Sequence, residues 1–366
     1  MNTQKKIGII GLGLIGGSLS MALKKKFPSQ QIIGVDDKQS TDYALSVNSI
    51  DISFSVQEVR KCAKMCDIIF LCTPINQIMT LMPVISESIK PGTLITDVGS
   101  TKRAIVKEAE KYFFHDTYFI GGHPLTGNEG YGIASADPMM FENTVYALTP
   151  SQHIPQKLIR YLGILLETIG AKVYFLSPAL HDKIAAGVSH LPQLLTVALI
   201  NLIARHQTTS CHYVKLAAGG FRDLTRIASS PYDIWDDIIN TNGDEMSLFI
   251  DEFIKELQII RKKIIQDSLI EVFRNAAKVR YSIPRDMKGF LLPTYDLCIE
   301  AEDRPGIIAE ISTALADNNI NIKDIEVLKV REGESGILRL AVESLGERIT
   351  SQHILSKRGY TVKLRD

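Results

Sequence analysis

The residues that could do chemistry fall into four short segments. The first two are Asp97-Val98-Gly99-Ser100-Thr101-Lys102 and Gly121-Gly122-His123-Pro124-Leu125-Thr126-Gly127-Asn128-Glu129. Glycine and proline restrict the backbone around His123, and histidine is the usual side chain for proton transfer near neutral pH. A structural histidine is the plainer alternative. The third segment is Ser189-His190-Leu191-Pro192-Gln193. The fourth runs Ala218-Gly219-Gly220-Phe221-Arg222-Asp223-Leu224-Thr225-Arg226 and is followed by Ser230-Pro231 and Trp235. Arg222 and Arg226 are four apart and share a face if the segment is helical. A guanidinium fork suits a carboxylate ligand; a structural Arg–Asp pair is the alternative.

A fifth motif points to a cofactor. Gly11-Leu12-Gly13-Leu14-Ile15-Gly16 is a G-x-G-x-x-G between a strand pattern and an amphipathic helix pattern. In that context Gly11 makes the tight turn, Gly13 admits a pyrophosphate and Gly16 lets helix pack on strand. The helix N-terminus offers free N–H groups to the phosphates. Asp36 ends the next strand, where a carboxylate binds a ribose 2′-OH and repels a 2′-phosphate. That favours NAD, although Lys38 close by pulls toward NADP. Thr73 and Pro74, after the strand Asp67–Leu71, are expected to line the same crevice.

These segments need a frame that brings strand ends together. Strand-like runs are Lys6–Ile10, Gln31–Val35, Asp67–Leu71, Thr93–Val98, Thr117–Gly121, Thr144–Leu148 and Lys172–Phe175, with helical stretches such as Gly16–Phe27, Ile75–Ile89 and Thr101–Tyr112 between them. Such alternation predicts an α/β fold: a Rossmann-like parallel sheet over residues 1–175, with its ligand crevice at the carboxyl ends of the strands. Residues 176–290 read as an all-helical middle domain, with helical spacing over Leu191–Ala204 and Asp244–Ile264. Pro192 predicts a first-turn position or a kink. This domain's apolar content exceeds the need of one layer, so a homodimer interface is expected. Tyr281–Pro293 reads as a linker. Residues 294–366 read strand, helix, strand, strand, helix, strand, the βαββαβ order of a ferredoxin-like module.

Composition excludes several classes. The 366 residues suffice for two or three domains, and 45% are apolar and 22% charged. Lys+Arg and Asp+Glu balance at 41 each, which leaves no electrostatic footprint for nucleic acid or an anionic membrane. Cys62, Cys66, Cys72, Cys211 and Cys298 are odd in number and scattered, which suggests reduced thiols in the cytoplasm. No second Cys/His pair joins Cys62 and Cys66, so no metal is expected. No signal peptide is visible, and no apolar stretch reaches the roughly 18 residues that span a bilayer.

Taken together, Gly-Leu-Gly-Leu-Ile-Gly-Gly-Ser, Gly-Gly-His-Pro, Ser-His-Leu-Pro and Gly-Phe-Arg-Asp…Thr-Arg-Ile-Ala-Ser resemble the prephenate dehydrogenase family, over the whole chain. The resemblance implies NAD-dependent oxidative decarboxylation of prephenate in tyrosine biosynthesis. His123 matches the catalytic histidine, and Ser100 the serine that bonds both the substrate hydroxyl and that histidine. Arg226 matches the arginine that grips a carboxylate. Glu129, His190, Gly219, Asp223 and Trp235 match pocket positions. Gln193 departs from the family's frequent second histidine, which leaves open prephenate, arogenate or both as substrate. The tail resembles an ACT module. Asp303, Arg304, Pro305, Gly306, Asn321 and Ile322 then imply an amino-acid site, with L-tyrosine as the expected effector. Two rivals are a 3-phosphoglycerate dehydrogenase, whose cofactor motif lies deeper in the chain, and a non-catalytic sensor, which would not need Ser100, His123 and Arg226 together.

Overall fold

A computed structural model describes residues 5–127, 130–207, 212–266, 268–282, 295–302, 304–329 and 336–365. Its contacts divide the chain into two compact units, Met1–Ile283 and Pro284–Asp366. The first is built on an eight-stranded sheet of order β3-β2-β1-β4-β5-β6-β7-β8. Strands β1 (Ile7–Ile10), β2 (Ile32–Val35), β3 (Ile52–Phe54), β4 (Ile68–Leu71), β5 (Leu94–Asp97) and β6 (Tyr118–Pro124) are mutually parallel. Strand β7 (Val145–Pro150) runs antiparallel to β6, and β8 (Lys172–Phe175) follows β7.

The sheet is therefore parallel over six strands and reversed over two. The reason lies in the β6–β7 connection. Among its described residues the only helical element is the short 3₁₀ turn Ile133–Ser135. A parallel return needs a long crossover, usually a helix, whereas an antiparallel one does not. Strand β3 was not foreseen; it has three residues with Ser53 at its centre, too few for a pattern.

Helices cover both faces. α1 (Leu14–Lys26), α2 (Lys38–Ser46), α3 (Val59–Met65), α4 (Ile75–Ser86), α5 (Arg103–Ala109) and α6 (Gln156–Thr168) alternate with the strands. Side chains alternate along each strand, so Ile7 and Ile9 of β1 enter one core with Leu19, Leu23 and Leu162. Ile10 enters the other with Cys62, Ile78 and Ile105. Truncating one of these core residues to alanine costs about 2–5 kcal/mol.

Beyond β8 the unit is helical: α7 (Pro178–Ala185), α8 (Leu191–Gln207), α9 (His212–Lys215), α10 (Gly219–Thr225), α11 (Tyr232–Ile265) and α12 (Ile270–Ser282). A π turn, Ala186–His190, joins α7 to α8. Pro192 has no N–H to give Val188, and the Leu191 N–H reaches back to the Ala186 carbonyl instead. The resulting helix Pro178–His206 is long and apolar enough to cross a membrane by length and composition alone, which bundle helices also are. His181, Asp182 and Lys183 hide that length from a search for unbroken apolar runs. Its buried His181, Asp182, His190 and Gln193 face protein. Helix α11 is kinked at Asn242, where φ is −139° and ψ is 19°.

The second unit holds β9 (Tyr295–Ala301), α13 (Ile307–Ala316), β10 (Asp324–Lys329), β11 (Gly336–Val342), α14 (Leu345–Lys357) and β12 (Thr361–Arg365). The sheet order is β10-β11-β9-β12, all antiparallel. Its core is Leu297, Ile299, Ile311, Leu315, Leu340 and Leu355. This is the expected βαββαβ module.

Candidate active site

The nucleotide cradle forms at the carboxyl ends of β1, β2 and β4. Gly11 has φ +94°, and a Cβ there would lie 2.7 Å from the Cys72 carbonyl. A Cβ on Gly16 would meet the Gly11 carbonyl oxygen, so helix α1 can reach this close to the strand only with glycine. Around Gly13, by contrast, the space is open. No side chain caps α1 at Gly13, which leaves its first N–H groups for a phosphate. Leu12, Leu14 and Ile15 complete the turn, with Leu12 fully buried.

A cleft of about 460 Å³ continues from the turn, lined by Gly11, Val35, Asp36, Val59, Thr73 and Leu81. Pro74 caps the start of α4 beside it. Asp36 Oδ2 accepts the Leu12 N–H at 2.5 Å, which holds its carboxylate at the glycine turn. Thr73 Oγ1 is buried and has no partner among the described residues. Lys38 pairs with Asp42 at 2.8 Å across one helical turn. The cleft at the glycine turn thus has mostly apolar walls with the Asp36 carboxylate among its lining, and Lys38 pairs with Asp42.

His123 lies beyond, in β6. The sequence expectation ends this strand at Gly121; pairing with β7 carries it to Pro124, with His123 opposite Ala147. Gly122 permits this, because a Cβ there would lie 2.5 Å from the Asp97 carbonyl. Asp97 Oδ1 accepts the Gly122 N–H at 3.0 Å, and Lys102 Nζ donates to the Gly122 carbonyl at 2.6 Å. Lys102 also pairs with Asp97, and both are fully buried. A buried pair of this kind is costly to break from one side, about 3–5 kcal/mol. Burial lowers the Lys102 pKa, against the pull of Asp97.

The imidazole of His123 has a partner that sequence reasoning missed. His123 Nδ1 lies 2.8 Å from Nε2 of His181. His181 Nδ1 lies 2.8 Å from Oδ1 of Asp182. Both belong to α7, and a Leu-His-Asp stretch after a strand carries no motif of its own. Asp182 caps α5 by accepting the Lys102 N–H at 2.6 Å and the Arg103 N–H at 2.8 Å. Burial raises the Asp182 pKa, but the hydrogen bonds from His181, Arg103 and Lys102 outweigh it and hold the carboxyl low. Burial lowers the His123 pKa well below 6.5, and His181, Lys102 and His190 act in the same direction.

The other expected residues divide into those gathered here and those not. His190 is buried and its ring meets Trp235 edge-on at 5.8 Å. Its Nδ1 lies 3.3 Å from the Asn242 amide. Burial takes its pKa down to about 4. Gln193 is buried one turn further along. Asn76 of α4 bonds Asp237 of α11, and Thr101 bonds Thr241 at 2.7 Å, which ties the Trp235 end of α11 to the sheet. Ser100 is half-buried in the loop between β5 and α5 and makes no hydrogen bond to His123 among the described residues. Gly219 and Asp223 are exposed on α10. Arg226 opens the following 3₁₀ turn rather than continuing the helix, and it too is exposed. Glu129 lies outside the described residues. No group of three or more His, Cys, Asp or Glu suits a metal among the described residues. Cys62 and Cys66 Sγ are 3.6 Å apart and buried.

In the tail, Gly306 has φ +90° and opens α13. Arg304 is exposed and pairs with Glu310 at 2.7 Å. Pro305 and Asn321 are exposed, and Ile322 packs on the module's core. Asp303 lies outside the described residues.

Family models match all three parts. They are a prephenate dehydrogenase nucleotide-binding domain over 19–175, a prephenate dehydrogenase dimerization domain over 177–277 and an ACT domain over 297–354. A prephenate dehydrogenase of Bacillus subtilis is 35% identical over 98% of this chain and 98% of its own. The chain belongs to the prephenate dehydrogenase family. It is therefore an oxidoreductase of the NAD-dependent kind. Among solved structures, prephenate dehydrogenase from Aquifex aeolicus, in complex with hydroxyphenyl propionate and NAD+, is 28% identical with a TM-score of 0.70. That match covers 77% of this chain and 97% of the other. Synechocystis arogenate dehydrogenase is 30% identical with a TM-score of 0.66, covering 75% and 99%. In both, the share of this chain covered leaves room for a further module, and the ACT match supplies it at the C-terminal end.

Proposed function

We propose that this prephenate dehydrogenase family member converts prephenate and NAD to 4-hydroxyphenylpyruvate, CO2 and NADH, a step of L-tyrosine biosynthesis. The observation that carries the reading is His123: a neutral imidazole with one nitrogen tied down, at the carboxyl end of β6 in the sheet whose strands β1, β2 and β4 end at the nucleotide cleft. NAD, when bound, supplies the hydride acceptor. His123 draws the proton of the substrate's ring hydroxyl as the carbon bearing that hydroxyl is oxidised. The ring carbonyl that forms is conjugated to the carbon bearing the carboxylate, so the substrate carries its own electron sink for loss of CO2. The phenolate left behind recovers a proton from His123. Ser100 orients the hydroxyl, and Arg226 grips a carboxylate by a charge-assisted fork. Glu129, His190, Gln193, Gly219, Asp223 and Trp235 shape the rest of the pocket.

Arogenate is the second reading. Gln193 favours it, since a buried amide reads the substrate side chain without charge, and so does the likeness to the Synechocystis arogenate dehydrogenase. NADH formation by the full chain, with prephenate and arogenate in parallel, decides between them. A kcat/KM at least tenfold higher for prephenate is expected.

The working form is a homodimer through the helical region. Leu216, Leu248, Ile254 and Ile265 are exposed there, and the region matches a dimerization domain. Free buried thiols suit the reducing cytoplasm. L-Tyrosine binds the tail module at the turn of Arg304, Pro305 and Gly306 and at Asn321 and Ile322, and inhibits. Gly306 lets the amino acid's carboxylate reach backbone N–H groups at the start of α13.

A further inference from the structure

The neighbour of His123 has a consequence for proton transfer. Asp182 is an ionised carboxylate and can only accept hydrogen bonds, so His181 Nδ1 must be the donor in their 2.8 Å contact. When His181 is neutral its one N–H is the bond to Asp182, which leaves its Nε2 as an acceptor. The 2.8 Å contact between the two rings then requires His123 Nδ1 to be the donor. His123 is left with its lone pair on Nε2, the nitrogen that can receive a substrate proton. The opposite tautomer would present an N–H there and could not act as a base.

We infer that His181 and Asp182 are positioning residues that select the basic tautomer of His123. The inference rests on the reading of His123 as the base. The hydroxyl proton moves to His123 Nε2 as the C–H bond to the hydride breaks. After CO2 departs, the phenolate oxygen takes that proton back. No bond to hydrogen in His181 or Asp182 is made or broken, and no oxidant beyond NAD is needed. The titratable and charged groups around His123 are His181 and Asp182 of α7, His190 of the π turn, and Lys102 with Asp97 at the end of β5. Lys102 pairs with Asp97, and Asp182 is the anion bonded to His181. Arg103, paired with Asp244 and Asn242, steadies Asp182 from its other side.

Four variants of the full chain test this: His181→Leu, His181→Gln, Asp182→Asn and, as reference, His123→Asn. The expected result is a kcat loss of about 10²-fold or more in His181→Leu, within the range of general acid–base effects. NAD affinity and KM for prephenate should stay within about threefold, because neither ligand touches His181 in this reading. His181→Gln should recover about tenfold of that loss, since its amide oxygen can accept from His123 Nδ1–H. The acid limb of the kcat/KM profile should move to higher pH in His181→Leu, because His181 is one of the groups beside His123 that hold its pKa down. Asp182→Asn should lose kcat likewise, because an amide that donates to His181 reverses both tautomers. If Asp182→Asn fails to fold for want of the α5 cap, the two His181 variants carry the decision. Turnover within threefold of wild type in His181→Leu overturns the inference. So does equal damage in the Leu and Gln variants with an unmoved acid limb, the mark of a merely structural residue. Should His123→Asn itself keep its turnover, the base assignment fails first, and the inference with it. A dead His123→Asn beside an active His181→Leu removes the positioning pair alone.

Discussion

The glycine turn at residues 11–16 works through its backbone, whereas the site at His123 works through side chains gathered from separate stretches. The turn needs six consecutive residues and one carboxylate, Asp36, held 2.5 Å from the Leu12 N–H. The imidazole site needs β6, the loop after β5, α7 and the π turn at once, with Asn242 of α11 closing it. A backbone site tolerates change outside its glycines. A side-chain relay fails wherever one link changes. The two regions should therefore respond differently to mutation, one in nucleotide affinity and the other in turnover.

The sharpest form of that contrast is His123→Asn. Turnover should drop by about 10²–10⁴-fold, the usual worth of general acid–base catalysis, with the dissociation constant for NAD unchanged. Stopped-flow NADH formation and equilibrium fluorescence titration separate the two quantities. Near-normal turnover would take His123 out of the chemistry.

Arg226→Ala should affect the substrate side only. Loss of a charge-assisted fork costs about 2–5 kcal/mol of binding. KM for prephenate should rise accordingly while KM for NAD holds. Since Arg226 is exposed on its 3₁₀ turn, the fold should survive, which circular dichroism can check. A variant with unchanged KM would assign Arg226 to structure.

Gly306→Val and Asn321→Ala extend the comparison to the tail. If L-tyrosine acts there, its effect on prephenate affinity, about 5–150-fold, should vanish in both. Tyrosine inhibition retained in both would locate it at the active site, where tyrosine resembles the product.

Asp36→Asn probes the cradle. A hydrogen bond to a charged group contributes about 1.5–3 kcal/mol, so the kcat/KM preference for NAD over NADP should shrink about 10–100-fold. Parity in the wild-type chain would mean that Lys38 overrides Asp36 despite its pairing with Asp42.

The smallest effects are those of pH. If His123 is the base, its neutral form is the active one; burial lowers its pKa, so the neutral form persists below 6.5. The kcat/KM profile should stay level through pH 6.5 and fall only under it; a limb centred at or above 6.5 would contradict this. Stability follows the same sign through His190. Its pKa falls from 6.5 to about 4 in the folded chain, so the unfolded chain binds the extra proton between those values. Thermal stability should decline as pH drops across that window, and His190→Gln should flatten the decline.

Much of this was legible in the sequence because it is local. The G-x-G-x-x-G turn, the strand before it and Asp36 lie within one βαβ unit, and each glycine answers a steric demand made by its near neighbours. The alternation of apolar runs gave the parallel core of the sheet, and the βαββαβ order of the tail followed from period and turn residues. The reversal at β7, the strand β3 and the extension of β6 to Pro124 were not legible. Each depends on which strand lies alongside, and nothing in a three-residue run or a Gly-Gly pair states its partner.

The same boundary runs through the site. His123 stands out in sequence because glycine and proline surround it, and Ser100, Arg226 and Trp235 stand out through a resemblance carried by contiguous motifs. His181 and Asp182 have no such flanks. Only the tertiary structure brings His181 within 2.8 Å of His123 across 58 positions and sets Asp182 on the N-terminus of α5. By itself the sequence determined which residue types were available and which backbone could approach a phosphate, since both are properties of near neighbours. Folding decided which nitrogen of His123 holds the proton, because a tautomer is set by the group that touches it, and that group comes from another part of the chain.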